Sequence, residues 1–175
     1  MDAYQCILTK LDFREFDSKP VPADIKTHVL EAARATGTGK NLQHWRFILV
    51  HGRERLNKLA DDTGTGKWIE KAGFAVIVLT DPNYRFHLID AGRVVQDMQL
   101  AAWNSGVVSC ICTNVDEGTL RKDFGYPKEM SPTAILGFGY PTRKITGRKK
   151  NRKPLSELAF IDSYGNNFDP KKLGK

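Results

Sequence analysis

Cysteine is scarce in this chain: Cys6, Cys110 and Cys112 are the only three in 175 residues. So few cysteines form no disulfide framework, and a lone Cys-x-Cys without a second pair is a poor zinc site. They read as buried apolar thiols. Long apolar runs are lacking too. The longest, AGFAVIVL, is far shorter than the roughly 20 residues of a membrane span. The N-terminal MDAYQCILTKLD has no signal-peptide core, so the expected setting is cytoplasmic, with no membrane partner. The four histidines, His28, His44, His51 and His87, have no metal-ligand spacing, and no metal is expected.

Glycine beside lysine is present twice, as TGTGK at 36–40 and again at 63–67. Neither copy is a phosphate-cradling loop of a known kind. A Walker loop needs glycine five residues before the Gly-Lys pair and Ser or Thr after it, where this chain has Arg34 and Asn41, then Asp61 and Trp68. The dinucleotide fingerprint needs a third glycine, and Leu42 and Ile69 stand there. The copies read as two independent loops. The net charge of +7 is concentrated in RKITGRKKNRK at 143–153, with seven basic residues in eleven positions. Such a run attracts phosphate, whether of a cofactor or of nucleic acid, or simply keeps the surface soluble. Nucleic acid is the weakest of these, since no interleaved aromatic platform or recognition module accompanies the run.

At 175 residues and 41% hydrophobic, the chain suits a single domain over 1–175 that buries roughly 70% of its unfolded surface. PVPADIKTHVLEAARAT places Ile25, Val29, Ala32 and Ala33 on one helical face between entry prolines and Gly37. Short apolar runs at 46–50, 74–79, 107–112 and 134–139 predict strands. FHLIDAGRVVQDMQLAAWNSG predicts a buried central helix through Leu88, Ala91, Val94, Val95, Met98, Ala101 and Ala102, stopped by Gly106. Asp116 caps a shorter helix ended by Gly125. Residues after Pro154 lack periodicity and suggest an arm over 155–175 that reaches toward a second subunit.

In order and content, KLDFREF, PVP, AARATGTGKNLQHWRFILV, DAGRVVQDMQLAAWNSGVVSCICTN, LGFGYP and KNRKPL resemble the nitroreductase family of FMN-dependent oxidoreductases in its short form. Asn41, Gln43 and Trp45 fall in register with the family's Pro-Ser-x-x-Asn-x-Gln-Pro-Trp. Lys10, Leu11, Asp12, Arg14 and Phe16 stand for its N-terminal basic box, with Leu11 replacing a basic residue and Asp12 a serine. Gly37 and Thr38 replace Pro-Ser, and His44 replaces proline. The resemblance implies an α+β, nitroreductase-like fold with a central, mostly antiparallel sheet flanked by helices. It also implies a homodimer that exchanges C-terminal arms and holds FMN between subunits, taking electrons from NADH or NADPH and passing them to a small-molecule acceptor.

Chemistry assigns roles within that implication. Each charge-assisted hydrogen bond to a dianionic phosphate is worth on the order of 1.5 to 3 kcal/mol; Lys10 and Arg14 supply charge from one end of the chain, and Lys150 and Arg152, two apart, from the other. A carboxylate at Asp12 repels that phosphate unless Lys10 or Arg14 neutralises it. Arg14 is the candidate to stabilise charge near N1 of reduced flavin. The first TGTGK loop lines the flavin through Thr38 and Lys40, and Asn41 and Gln43 either meet the ring's polar edge or tie down the loop. The second is expected as an unrelated loop near the substrate channel. Trp45 reads as core. Among the histidines, only His44 stands where it could face the site. A backbone N–H at the end of VVSCIC, where Cys112 runs into Thr113 and Asn114, is expected to face flavin N5, with Thr113 the best single position. Dehalogenation, flavin breakdown and flavin binding without turnover are the alternatives.

Overall fold

The computed structural model describes residues 1–145 and 150–174. Residues 146–149 of the basic run, and Lys175, lie outside the described residues. Four strands, β1 (Arg46–Val50), β2 (Phe74–Thr80), β3 (Val108–Cys112) and β4 (Ser131–Gly139), form one sheet in the order β1-β2-β4-β3. Every pair in it is antiparallel. The continuous apolar run FAVIVLT becomes a strand with all seven residues buried, because it lies inside the sheet with both faces covered.

Helices α2 (Ala23–Ala35) and α4 (His87–Asn104) pack together on one face. Val29 and Ala33 of α2 meet Val94, Met98 and Ala102 of α4 over Val76, Val78 and Leu136. The other face is closed by α3 (Arg53–Asp61), the short turn at Lys67–Lys71 and the N-terminal segment, through Leu56, Leu59, Ile69, Phe13 and Phe16. Trp45 is buried in the α2/α4 core, as expected. Helix α5 (Glu117–Phe124) begins where the Asp116 carboxylate accepts the Thr119 N–H and ends at Gly125 in the left-handed region, φ 68°.

Two helices were not expected. The first, α1 (Ala3–Thr9), is capped by Asp2, but only Cys6 in it is buried, so it shows no stripe. The other is α3, where Leu56, Leu59 and Ala60 follow helical spacing, a pattern too short to stand out. Leu88 differs from its expected place: it is 64% exposed. The first turn of α4 lies beside the loop at 37–44, where Tyr84 Oη donates to Gly39 O at 3.2 Å and the Gly39 N–H reaches Asp90. The buried stripe of α4 therefore starts at Asp90.

Candidate functional site

Helix α1 ends at Lys10, after which the chain runs extended beside β3. Asp12 bridges to Ser109 in parallel, and the Phe13 N–H donates to Ser109 O at 2.9 Å. This extra edge pairing fixes the basic box on the sheet. Lys10 is 8% exposed, and an ammonium so deeply placed requires partners. It donates to Asp12 Oδ1 and to Gln99 Oε1, both at 2.8 Å. Gln99 Nε2 in turn donates to Asp12 Oδ1 at 3.0 Å and Ser109 Oγ at 3.1 Å. The carboxylate at position 12 is thus neutralised by Lys10, and the ammonium, with three donors, keeps one N–H beyond this network. Leu11 packs against the core under the sheet.

Lys150 returns to this place from the far end of the chain. Its ammonium donates to Ile7 O at 2.6 Å. Burial, then repulsion from Arg152 and Lys10, holds it below the ordinary lysine range against the pull of Asp12. Arg152 is exposed, with Nη1 donating to Asn151 O at 2.9 Å. Lys10 and Lys150 therefore share the neighbourhood of one carboxylate, with Arg152 near Lys150, and an anion entering here relieves like-charge repulsion.

Arg14 is exposed on the opposite side of the box. Its Nε donates to Cys110 Sγ at 3.2 Å, and its Cζ lies 5.6 Å from the Trp68 ring centroid. It lines a cavity of about 400 Å³ with Phe16, Trp68, Lys71 and Thr142. At the end of β3, Cys112 is buried and its thiol donates toward Asn114 O at 3.7 Å, while Thr113 and Asn114 are exposed. The second TGTGK loop is fastened here: the Gly64 N–H donates to Asn114 O at 3.0 Å, and a Cβ on Gly64 would come within 2.7 Å of Asn114 Nδ2. It borders the strand end directly.

The first TGTGK loop is built differently. Lys40, Asn41 and Gln43 all have left-handed φ, at 52°, 55° and 48°. Such strain, on the order of 1–3 kcal/mol per residue, persists only where neighbours enforce it. The Gln43 N–H donates to Thr38 Oγ1 at 3.1 Å and Gln43 Nε2 to Asn41 O at 3.3 Å, so the Gln43 amide ties the loop internally. The side chain of His44 is buried; its Nε2 meets Asp90 Oδ2 at 3.2 Å, and its Nδ1 has no partner among the described residues. Asp90 and Gln99 are nine residues apart on one helix, roughly 13 Å along its axis. One chain therefore brings together Lys10, Asp12 and Lys150 at the start of β3, and places Thr38, Lys40, Asn41 and Gln43 at the other end of α4. Gln99, Cys110, Trp68 and Asp90 were not anticipated as parts of the site. Gln99 and Asp90 carried a signal, since each is a polar residue on the buried stripe of α4.

Comparison with known proteins bears on the family and the fold. The nitroreductase family model matches residues 10–81 and 60–140. The chain belongs to the nitroreductase family. A "Putative NADH dehydrogenase/NAD(P)H nitroreductase" of Methanothermobacter thermautotrophicus is 28% identical over 151 residues, 81% of this chain and 78% of that protein. A nitroreductase family protein from Clostridium difficile 630 superposes with a TM-score of 0.83 at 25% identity, covering 93% of this chain and 99% of its own. An FMN-dependent nitroreductase from Clostridium difficile R20291 gives a TM-score of 0.75 at 23% identity, covering 91% and 96%. This nitroreductase-family chain has the α+β fold with its antiparallel sheet, and among its described residues no helix is long and apolar enough to cross a membrane.

Proposed function

We propose that the protein is a cytoplasmic FMN-dependent oxidoreductase. It takes electrons from NADH or NADPH and passes them to nitroaromatic, quinone or similar acceptors in a ping-pong cycle. The observation that carries this reading is the convergence of Lys10 and Lys150, with Arg152 close enough to Lys150 to repel it, at the Lys10–Asp12–Gln99 network beside the start of β3. This donor set fits a phosphate monoester: fixed cations with unused N–H groups, one carboxylate already neutralised, and a backbone rigidly paired to the sheet. The FMN-dependent neighbour and the NAD(P)H nitroreductase relative support the same assignment.

FMN, when bound, supplies the hydride-accepting and hydride-donating chemistry. Lys10, Lys150 and Arg152 hold its phosphate. Arg14 lends positive charge where the reduced form gathers negative charge. Thr113 presents its main-chain N–H to N5, a donor that does not titrate, with Cys112 and Asn114 fixing the register. Asn41 and Gln43, with Thr38 and Lys40, belong to a loop set apart from these groups in the same chain, which supports a homodimer in which the partner's copy of the loop completes the pocket. Apolar side chains of the 155–175 arm, including Leu155, Leu158 and Tyr164, are exposed on this chain, as an arm laid on a partner requires.

Purified protein titrated with FMN and then mixed with NADH or NADPH under anaerobic conditions tests the reading. Stoichiometric binding followed by bleaching of the flavin absorbance is expected. Failure to bind FMN overturns it, and binding without reduction by either nucleotide leaves a flavin carrier without turnover.

A further inference from the structure

Arg14 is exposed, yet its guanidinium is held from two sides. Its Nε donates to Cys110 Sγ at 3.2 Å, a contact that also raises its pKa. The thiol hydrogen of Cys110 is directed to Ile111 O, 3.7 Å away, which leaves sulfur lone pairs to accept from Arg14. On the other side, Arg14 Cζ lies 5.6 Å from the centroid of the Trp68 ring, within cation–π range. Trp68 is itself fixed. It rests on β4, where a Cβ on Gly137 would come within 2.6 Å of its Cζ3, and its ring lies 6.1 Å from that of Phe16. An unrestrained surface arginine loses much rotamer freedom when ordered; here the fold has already restricted it. Nε is occupied and one ring flanks the guanidinium, so the two terminal nitrogens are what Arg14 offers to the cavity it lines.

We propose that Cys110 and Trp68 are positioning residues that hold Arg14 against the cofactor, so that the reduction potential of bound FMN depends on a thiol and an indole that do not themselves react. The inference rests on the reading above, in which the site holds FMN and Arg14 faces its reduced form. A cation fixed beside developing negative charge stabilises the reduced form more than the oxidised one, because no reorganisation is needed when the charge appears. A mobile arginine is drawn to solvent and does so less. Cysteine at 110 supplies both a donor and an acceptor, and serine supplies the same pair in a smaller atom; alanine supplies neither.

The experiment is the midpoint potential of the FMN-loaded protein, by equilibration with a reference dye. It compares wild type with Cys110→Ala, Cys110→Ser, Trp68→Leu, Arg14→Gln and the Cys110→Ala/Arg14→Gln double variant. Cys110→Ala and Trp68→Leu are each expected to weaken stabilisation of the reduced form about tenfold, a fall of about 30 mV for a two-electron couple. Cys110→Ser is expected to stay near wild type, and the double variant no lower than Arg14→Gln alone. Where Cys110→Ala does not fold, Trp68→Leu carries the same cycle with Arg14→Gln. The inference is overturned if Arg14→Gln lowers the potential while the Cys110 and Trp68 variants leave it unchanged, or if their effects persist in full without Arg14. An unchanged potential in Arg14→Gln shows instead that Arg14 does not face the flavin, and the inference falls with that assignment. Absence of FMN binding removes both.

Discussion

The carboxylate of Asp90 accepts at once from His44 Nε2, 3.2 Å away, and from the backbone N–H of Gly39 at 3.3 Å. One buried side chain on α4 thereby grips the first TGTGK loop at both its ends, on either side of the left-handed residues Lys40, Asn41 and Gln43. Arg93 Nη1 also reaches Asp90 Oδ1 at 3.5 Å, and because removing a buried shared acceptor strands its donors, Asp90→Ala is expected to destabilise the fold by about 2–4 kcal/mol. It should also let the loop relax, which urea unfolding and amide exchange of residues 38–43 would report. Unchanged exchange protection there would show that the loop holds its strained backbone without Asp90.

Lys150 and Arg152 carry the phosphate assignment. Changing both to Gln removes two charge-assisted donors while leaving the exposed surface intact, so FMN binding is expected to weaken by roughly 2–5 kcal/mol with little loss of stability. Flavin titration with a dissociation constant equal to that of wild type would place the phosphate elsewhere. A steep salt dependence of nucleic-acid binding by the unaltered protein would turn the basic run toward the other class of partner.

The arm after Pro154 offers a test of assembly. Leu155, Leu158, Tyr164 and Leu173 are exposed on this chain, as the proposed exchange of arms in a dimer requires. Deleting 155–175 is expected to weaken the dimer and release flavin. Sedimentation of the intact protein as a monomer with tightly bound FMN would refute it.

The strands and the two long helices were legible because their signals are local: a fully apolar run for β2, a stripe for α4, capping chemistry at Asp116 and Gly125. The basic box and Lys150 were legible through residue type and family register, as was the expectation that both ends of the chain supply charge to one phosphate, but the part of Gln99 in holding Lys10 and Asp12 was not. Lys10 and Gln99 are 89 residues apart in sequence, and nothing local says that a glutamine inside an apolar stripe hydrogen-bonds a distant ion pair. The same holds for Trp68, whose role depends on Gly137 of β4 leaving room for its ring. Leu88 was misplaced because periodicity places a residue on a helix face without saying where the neighbouring layer ends.

Asp62 introduces a pH dependence of stability. Burial first, and then the Asp123 carboxylate, pushes its carboxyl up to about 6 from 3.8, and Oδ2 is buried without a partner among the described residues. The folded state therefore holds this proton more tightly than the unfolded chain, and stability from this group is present at low pH and lost as pH rises from about 3.8 through about 6. The full shift corresponds to up to about 3 kcal/mol by pH 7. Asp62→Asn, which keeps the shape and never ionises, is expected to be more stable than wild type at pH 7.5 by about 1–3 kcal/mol in urea unfolding. The difference should shrink as pH falls below 6, and a difference independent of pH between 4 and 8 would show that Asp62 titrates normally.

Thr113 is where the chemical step is assigned, on its main chain and not its side chain. Thr113→Ala keeps the N–H and should leave flavin reduction largely intact, whereas Thr113→Pro removes the donor and fixes φ. Losing a preorganised donor of this kind costs roughly 2.7 to 4 kcal/mol in oxyanion holes, an upper guide for flavin N5. Asn114 is the register control, and its surroundings sharpen the contrast: its carbonyl is already engaged by Gly64 N–H at 3.0 Å, so Asn114→Pro tests the neighbouring N–H while the loop contact to the carbonyl can persist. Stopped-flow reduction by NADH and NADPH, on protein first shown to be folded and FMN-loaded, is expected to slow by 10- to 100-fold with proline at 113 and not with alanine. Wild-type rates with proline at both 113 and 114 in turn would detach this segment from N5 and with it the catalytic assignment of the end of β3.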